Sequence, residues 1–420
     1  MAVSIVGCGL FSRASPLAMS MCPPPVRSRF TPGTATGFRT SPCSRPQACW
    51  CAHFSRGGAG AGPGVGRLRT GRRAANHWRV LASLKVRHFR CFETFATEFA
   101  PGLNFIVGPN ARGKTSLLEA ACILLRLQSP RVTRLAHVIQ HERRGLVVDG
   151  FFAERHLQFY LSHERKKLAL DGVEQKTARD YLEVARVVYF GNRDIELVRG
   201  TGEGRRRFLD FVAGQRAGAH RRTLRDYERA LRSRNLLLKG SAPRWREIAA
   251  FDEPLVAAGT RVAEERERLL RDLQEPVQAA HAAITGSRES LRIEWLPGAG
   301  GNFPEALAAA HQDDARLRQT TVGPHRDDLA LFVNGQASSY ASEGQQRTLA
   351  LALRLGSAHL LERHFSTPPV LLLDDIFGEL DLDRRGSLLA ALPAAAQKLI
   401  ATTHLDWLDP ASAGKVLDLT

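Results

Sequence analysis

The sequence predicts an α/β protein: one lobe built on a mixed sheet flanked by helices around a phosphate-binding loop, and a mainly helical second lobe inserted in it. Three observations carry this reading. An apolar strand, a glycine-rich turn and a helix follow one another over residues 103–128. A second apolar strand, Val370–Leu373, ends in two aspartates. Between them, over about 166–320, apolar residues recur at helical spacings of three and four.

At 420 residues the chain is long enough for two or three domains with sizeable cores. Its formal charge of +17 suggests a nucleic-acid binder until the charge is located. Residues 1–80 hold eleven Arg, no Lys and no acidic residue, so 81–420 carry only +6. Net charge therefore gives modest support for DNA binding. Five of the seven Cys (Cys8, Cys22, Cys43, Cys49 and Cys51) lie in the first 51 residues. Only Cys91 and Cys122 remain, which excludes a disulfide framework for the folded part and fits a reducing compartment. With no CxxC pair, a thiolate zinc site is not expected.

The first element, residues 1–79, is rich in Arg, Pro, Gly and Ser and has no sustained apolar period. It is expected to be disordered. Its composition also suits an organelle transit peptide. A third reading is a spurious extension, with the true start at Val80, because all three Met (1, 19 and 21) lie inside it. No apolar run reaches the roughly 20 residues of a membrane span, so no membrane association is expected.

The second element is "LNFIVGPNARGKTSLLEAACILLRLQ". Leu103–Val107 reads as a buried strand, and Gly108-x4-Gly113-Lys114-Thr115 is the Walker A pattern opening a helix. Backbone N–H groups of such a loop wrap phosphates, Lys114 reaches the outer ones, and the Thr115 hydroxyl ligates Mg2+. Ala111 stands where many such loops have Gly; if that position needs positive φ, Ala costs about 1 kcal/mol or more.

The inserted lobe follows. Phe208, Leu209, Phe211 and Val212 open a helical face that Leu224, Tyr227 and Leu231 continue, and Val256–Val277 gives another helix. An antiparallel pair of about 35 residues each would project roughly 50 Å. Arg205-Arg206-Arg207 serves either DNA-phosphate contact or salt bridges between lobes. His325-Arg326-Asp327-Asp328 returns the chain to the first lobe and braces either the nucleotide or the lobe junction.

In "SYASEGQQRTLALALRL", Ser342 and Gln345 form a capping box at the start of a helix, and Gly344 permits close approach to its backbone. The strand Val370–Leu373 delivers Asp374 and Asp375 to its C-terminal edge, where ligands bind in open α/β sheets. Asp374 suits a Mg2+ contact, direct or through water. Asp375 is placed to orient or deprotonate an attacking water. Gly378-Glu379-Leu380-Asp381 comes next, then a last apolar strand, Lys398–Ala401, leading to His404 at the place of a γ-phosphate sensor.

Walker A, SEGQQ, LLLDD, ELD and a strand ending in His404 come in the order of the ABC-type ATPase head. Transporter ATPases space loop and signature by roughly half the 234 residues found here, and long-coiled-coil ATPases insert far more. From about residue 80 onward the chain resembles the RecF family of bacterial recombination mediators. The resemblance rests on "LKVRHFRCF" (84–92), "DIELVRGTGEGRRRFLDF" (194–211), "YERALRSRNLLLK" (227–239), "VGPHRDDL" (322–329) and "LLLDDIFGELDLDRR" (371–385). Gly378 and Ala111 depart from the family pattern.

The resemblance implies an ATPase lobe of residues 80–165 plus 321–420 and a second lobe of 166–320. It also implies ATP and Mg2+ as cofactors. Gly108, Pro109, Asn110, Ala111, Arg112, Gly113, Lys114, Thr115 and Ser116 would hold the nucleotide, and Thr115 and Asp374 the metal. Ser342, Gly344 and Gln345 would complete the site from a second copy, in an ATP-dependent homodimer. Asp375 and His404 would serve a weak ATPase. The implied partners are DNA, single-stranded and at single-strand/duplex junctions, and mediator proteins such as RecR and RecO, in a bacterial cytoplasm. Two other readings stay open: a nucleotide-binding DNA scaffold without turnover, and a transporter ATPase subunit.

Overall fold

The computed structural model describes residues 79–240, 244–378, 380–408 and 414–419. The expectations for 1–79, apart from Arg79, and for Glu379 lie outside the described residues.

A six-stranded antiparallel sheet opens the fold. It contains β1 (Leu81–Phe89), β2 (Phe92–Glu98), β4 (Gly145–Phe152), β5 (Arg155–Ser162), β6 (Lys166–Leu170) and β7 (Val173–Glu174), in the order β2-β1-β4-β5-β6-β7. Its strands alternate, with Leu84, Val86, Leu146, Val148, Leu157 and Phe159 buried and their neighbours outward. A five-stranded parallel sheet is built from β3 (Leu103–Val107), β8 (Val187–Gly191), β12 (Val370–Asp374), β13 (Lys398–Thr402) and β14 (Lys415–Asp418), in the order β14-β3-β13-β12-β8.

Helix α1 (Lys114–Arg126) lies between the two sheets, which explains why it is apolar nearly all round: Leu117 through Leu125 are each at most 1 % exposed. Each such leucine contributes about 1.5–3 kcal/mol by leaving water. The parallel strands divide their side chains between two cores. Val187, Tyr189, Val370, Leu372, Leu399 and Ala401 face α1. Val188, Phe190, Leu371, Leu373 and Ile400 face the helices on the far side. Burial on both faces is what the unbroken apolar runs of β8, β12 and β13 encode.

The remaining helices are α2 (Arg179–Glu183), α3 (Glu196–Arg199), α4 (Gly202–Arg216), α5 (His220–Leu238), α6 (Trp245–Thr285), α7 (Phe303–Ala309), α8 (His311–Leu317), α9 (Glu343–Phe365) and α10 (Leu382–Ala391). A small sheet, β9 (Leu291–Leu296), β10 (Asp328–Val333) and β11 (Gln336–Ala337), lies between the helices in the order β11-β10-β9. Helices α5 and α6 pair, as the sequence suggested, but with 19 and 41 residues rather than two near-equal arms. At 1.5 Å per residue α6 runs about 60 Å. It passes through Pro254 and Pro276, where a sequence reading stops or starts a helix. Packing sustains it: α9 crosses so closely that a Cβ on Gly356 would sit 2.5 Å from Val277 Cγ2.

The helical lobe begins later than residue 166. Strands β6 and β7 extend the antiparallel sheet and β8 completes the parallel one. A separate small core belongs to α5, α6 and α7, through Tyr227, Ala230, Leu255, Val262, Phe303 and Leu307.

Candidate nucleotide-binding site

The parallel sheet sets the geometry. Strand β13 pairs with β3 on one side and β12 on the other, with Thr402 opposite Val107 and Ala401 opposite Asp374. The carboxyl ends of the loop strand and the aspartate strand therefore lie at one edge, one strand apart.

The loop turns out of β3 at Gly108 and enters α1 at Gly113, whose φ of 99° is left-handed. A Cβ at Gly113 would lie 2.5 Å from Phe92 Cζ and 2.8 Å from Cys91 Sγ, so the β1–β2 turn closes against the loop. Ala111 has φ 67°, a conformation that costs an L-residue about 1–2 kcal/mol. Lys114 is buried and its ammonium donates to the carbonyls of Gly108 (2.6 Å) and Pro109 (2.9 Å). Burial lowers its pKa, and the charges of Asp375 and Asp374 oppose that shift, so both carboxylates bear on this lysine.

Thr115 and Asp374, 259 residues apart, meet: the Thr115 hydroxyl donates to Asp374 Oδ1 at 2.7 Å. The other oxygen, Oδ2, accepts from the Tyr189 hydroxyl at 2.7 Å. Burial raises the Asp374 pKa, and these two hydrogen bonds work against it. A hydroxyl that donates to a carboxylate keeps its lone pairs for a cation, so Thr115 and Asp374 fit a hard, oxygen-ligated divalent ion beside a phosphate chain. Asp375 follows with φ 54°, a strained conformation fixed by its N–H bond to the Ala401 carbonyl at 3.0 Å. Tyr189 was not singled out from sequence. Its signal was there in VVYFG, a buried strand whose one hydroxyl must find a partner.

His404 lies two residues beyond β13 with a side chain 56 % exposed, and its ring faces Asp406 at 3.6 Å. The cap of α9 is formed in full: Ser342 Oγ accepts from the Gln345 N–H and Gln345 Oε1 from the Ser342 N–H. Its contacts point elsewhere than the loop of the same chain. Gln345 Nε2 donates to Glu289 at 2.8 Å, Gly344 lies under the Arg384 guanidinium, and Ser342 is exposed.

In the two motifs with open alternatives, Arg205, Arg206, His325, Asp327 and Asp328 are tied down by bonds within the fold. Arg205 makes two bonds to the Asp328 carboxylate, at 2.6 and 2.8 Å, and Arg206 donates to the Asp327 carbonyl. Asp327 also accepts from buried Arg266 at 2.9 Å, and Arg266 in turn holds Asp210. His325 sits between the Tyr227 hydroxyl and the Thr320 carbonyl. Arg207 is exposed.

Residues 80–413 match the family model described as RecF/RecN/SMC N terminal domain. The chain is similar to "DNA replication and repair protein RecF" of Nostoc punctiforme, 38% identical over 352 residues (78% of this chain, 94% of that protein). It is likewise similar to the protein of that name from Synechococcus sp., 36% identical over 351 residues (78% and 92%). Among solved structures it is similar to the recombination mediator protein RecF–ATP of the RecFOR pathway, with TM-score 0.74 and 29% identity, covering 83% of this chain and 97% of that one. The chain belongs to the RecF family and carries its SMC-type ATPase head.

Proposed function

We propose that this chain is an ATP-switched DNA-binding protein of RecF type, acting in DNA replication and recombinational gap repair. One observation carries the reading. Thr115 and Asp374 meet beside the loop, while the cap of α9, with Ser342 exposed, bonds Glu289 rather than its own loop. Two copies related by a two-fold axis would place each cap on the triphosphate held by the partner loop. Lys114 and the loop N–H groups would hold ATP, Thr115 and Asp374 would hold Mg2+, and Asp375 would orient the attacking water, with His404 sensing the γ-phosphate.

DNA engagement is supported by a cluster of cations. Desolvation lowers the Lys166 pKa, and the charges of Arg221 and Arg225 lower it further; burial together with Arg225 pulls Arg221 down to about 10. Among the described residues no carboxylate pairs with any of the three, and Lys166 and Arg225 are exposed. Cations left to repel one another suit a phosphate backbone. RecR- and RecO-type mediators as partners and a bacterial cytoplasm as the location belong to the same proposal, and the likeness to RecF of the RecFOR pathway supports it. Membership in the family sets the transporter reading aside.

Mixing two inactive variants tests the shared site. Lys114→Ala and Ser342→Arg should each abolish ATP-driven dimers of themselves, while their mixture regains dimers with one intact site. Full-strength dimers of Ser342→Arg alone would overturn the reading. Asp375→Asn separates a slow ATPase from a scaffold without turnover: phosphate release equal to wild type would remove the enzyme.

A further inference from the structure

Asp374 is held from both sides by hydroxyl groups of two separate elements. Thr115, at the start of α1, donates to Oδ1 at 2.7 Å; Tyr189, on β8, donates to Oδ2 at 2.7 Å. Two donors on opposite oxygens stop the carboxylate from turning about its Cβ–Cγ bond. Each oxygen still has a lone pair to spare for a cation or its water.

The tyrosine is built into place. It is 7 % exposed, and Asp374 is the acceptor its hydroxyl reaches. Register pairs Leu372 with Tyr189 and Asp374 with Gly191, so the ring must pass along β8 beside Gly191 to reach the carboxylate. A Cβ at Gly191 would stand 2.7 Å from Tyr189 Cε1 and 3.3 Å from its hydroxyl oxygen. The absent side chain at 191 is the lane the ring occupies. Gly191 is itself fixed, its N–H donating to Asp194 Oδ2 at 2.9 Å. A ring serving only as core filler would need neither the hydroxyl contact nor the glycine.

We propose that Tyr189 is a positioning residue which, with Gly191 as its lane, sets the Asp374 carboxylate for the divalent cation that accompanies ATP. The inference rests on the nucleotide-site reading above. The second partner of a ligating carboxylate commonly tunes metal affinity by one to two orders of magnitude.

The test is binding of a fluorescent ATP analogue to the full chain, titrated with MgCl2. Tyr189→Phe removes one oxygen atom and should raise the Mg2+ concentration at half-maximal binding about tenfold, with metal-free nucleotide affinity unchanged. Gly191→Ala should shift the midpoint the same way by displacing the ring. Tyr181→Phe is the control: it also loses a buried tyrosine bond, to the Leu124 carbonyl at 2.7 Å, but does not touch Asp374 and should leave the midpoint alone. A wild type with a clear Mg2+ midpoint and a Tyr189→Phe curve that overlays it overturns the inference while leaving the function intact. A wild type that binds the analogue equally with and without Mg2+ overturns both.

Discussion

Arg90→Ala should destabilise the ATPase lobe by about 2–3 kcal/mol, because it strands a buried carboxylate in the loop helix. Glu119 lies on α1 with no exposed side-chain surface, and Arg90, in the β1–β2 turn, bonds both of its oxygens at 2.9 Å. Removing one partner of a buried pair costs about 3–5 kcal/mol. Here the loss is smaller, because the Ser129 hydroxyl stays on Glu119, Arg131 stands 3.6 Å away, and the Arg90 side chain is 23 % exposed. The turn that Arg90 anchors also carries Cys91 and Phe92, which pack on Gly113, so loosening it should weaken nucleotide binding as well. The assay is a double-mutant cycle by urea unfolding with Glu119→Gln. In that background Arg90→Ala should cost about 1 kcal/mol or less, giving a coupling of about 1.5–2 kcal/mol. Equal losses in both backgrounds, within about 0.5 kcal/mol, would refute the reasoning.

Lys166→Gln with Arg225→Gln should weaken DNA binding across sequences and reduce the slope of log K against log salt by about 2 for duplex DNA; an unchanged slope would place the phosphates elsewhere. His325 brings a pH dependence. Burial, with Arg326 and Arg206 nearby, lowers its pKa to about 4, against the Thr320 carbonyl and Asp314. Its neutral form is the folded one, so the unfolded chain binds the extra proton as pH falls from about 6.5 to 4. Stability contributed by neutral His325 is complete above the unfolded pKa and lost at up to about 1.4 kcal/mol per pH unit below it. His325→Gln should flatten that part of a urea-midpoint profile.

The local elements were legible because their signals are local. Leu103–Val107, the turn at Gly108 and the start of α1 follow from one apolar run and a glycine pattern, and the cap at Ser342 from residues three apart. The positive φ at Ala111 was legible as a conditional, since the loop's shape decides it. What stayed hidden depended on distant pairing. Strand β8 carries the same apolar signal as β12, yet lies in a stretch otherwise rich in helix, and only sheet order reveals that its tyrosine reaches Asp374. Arg205 and Asp328 are 123 residues apart, so their pairing needed the fold. The length of α6 was masked by two prolines whose cost is met by packing against α5 and α9.

The most direct measurement is sedimentation of the full chain with ATP, with ADP and with neither, alongside Ser342→Arg. Doubling of mass with ATP alone, absent in the variant, is the expected result. A wild type that stays monomeric when saturated with ATP, or a variant that doubles as readily, would contradict the shared site.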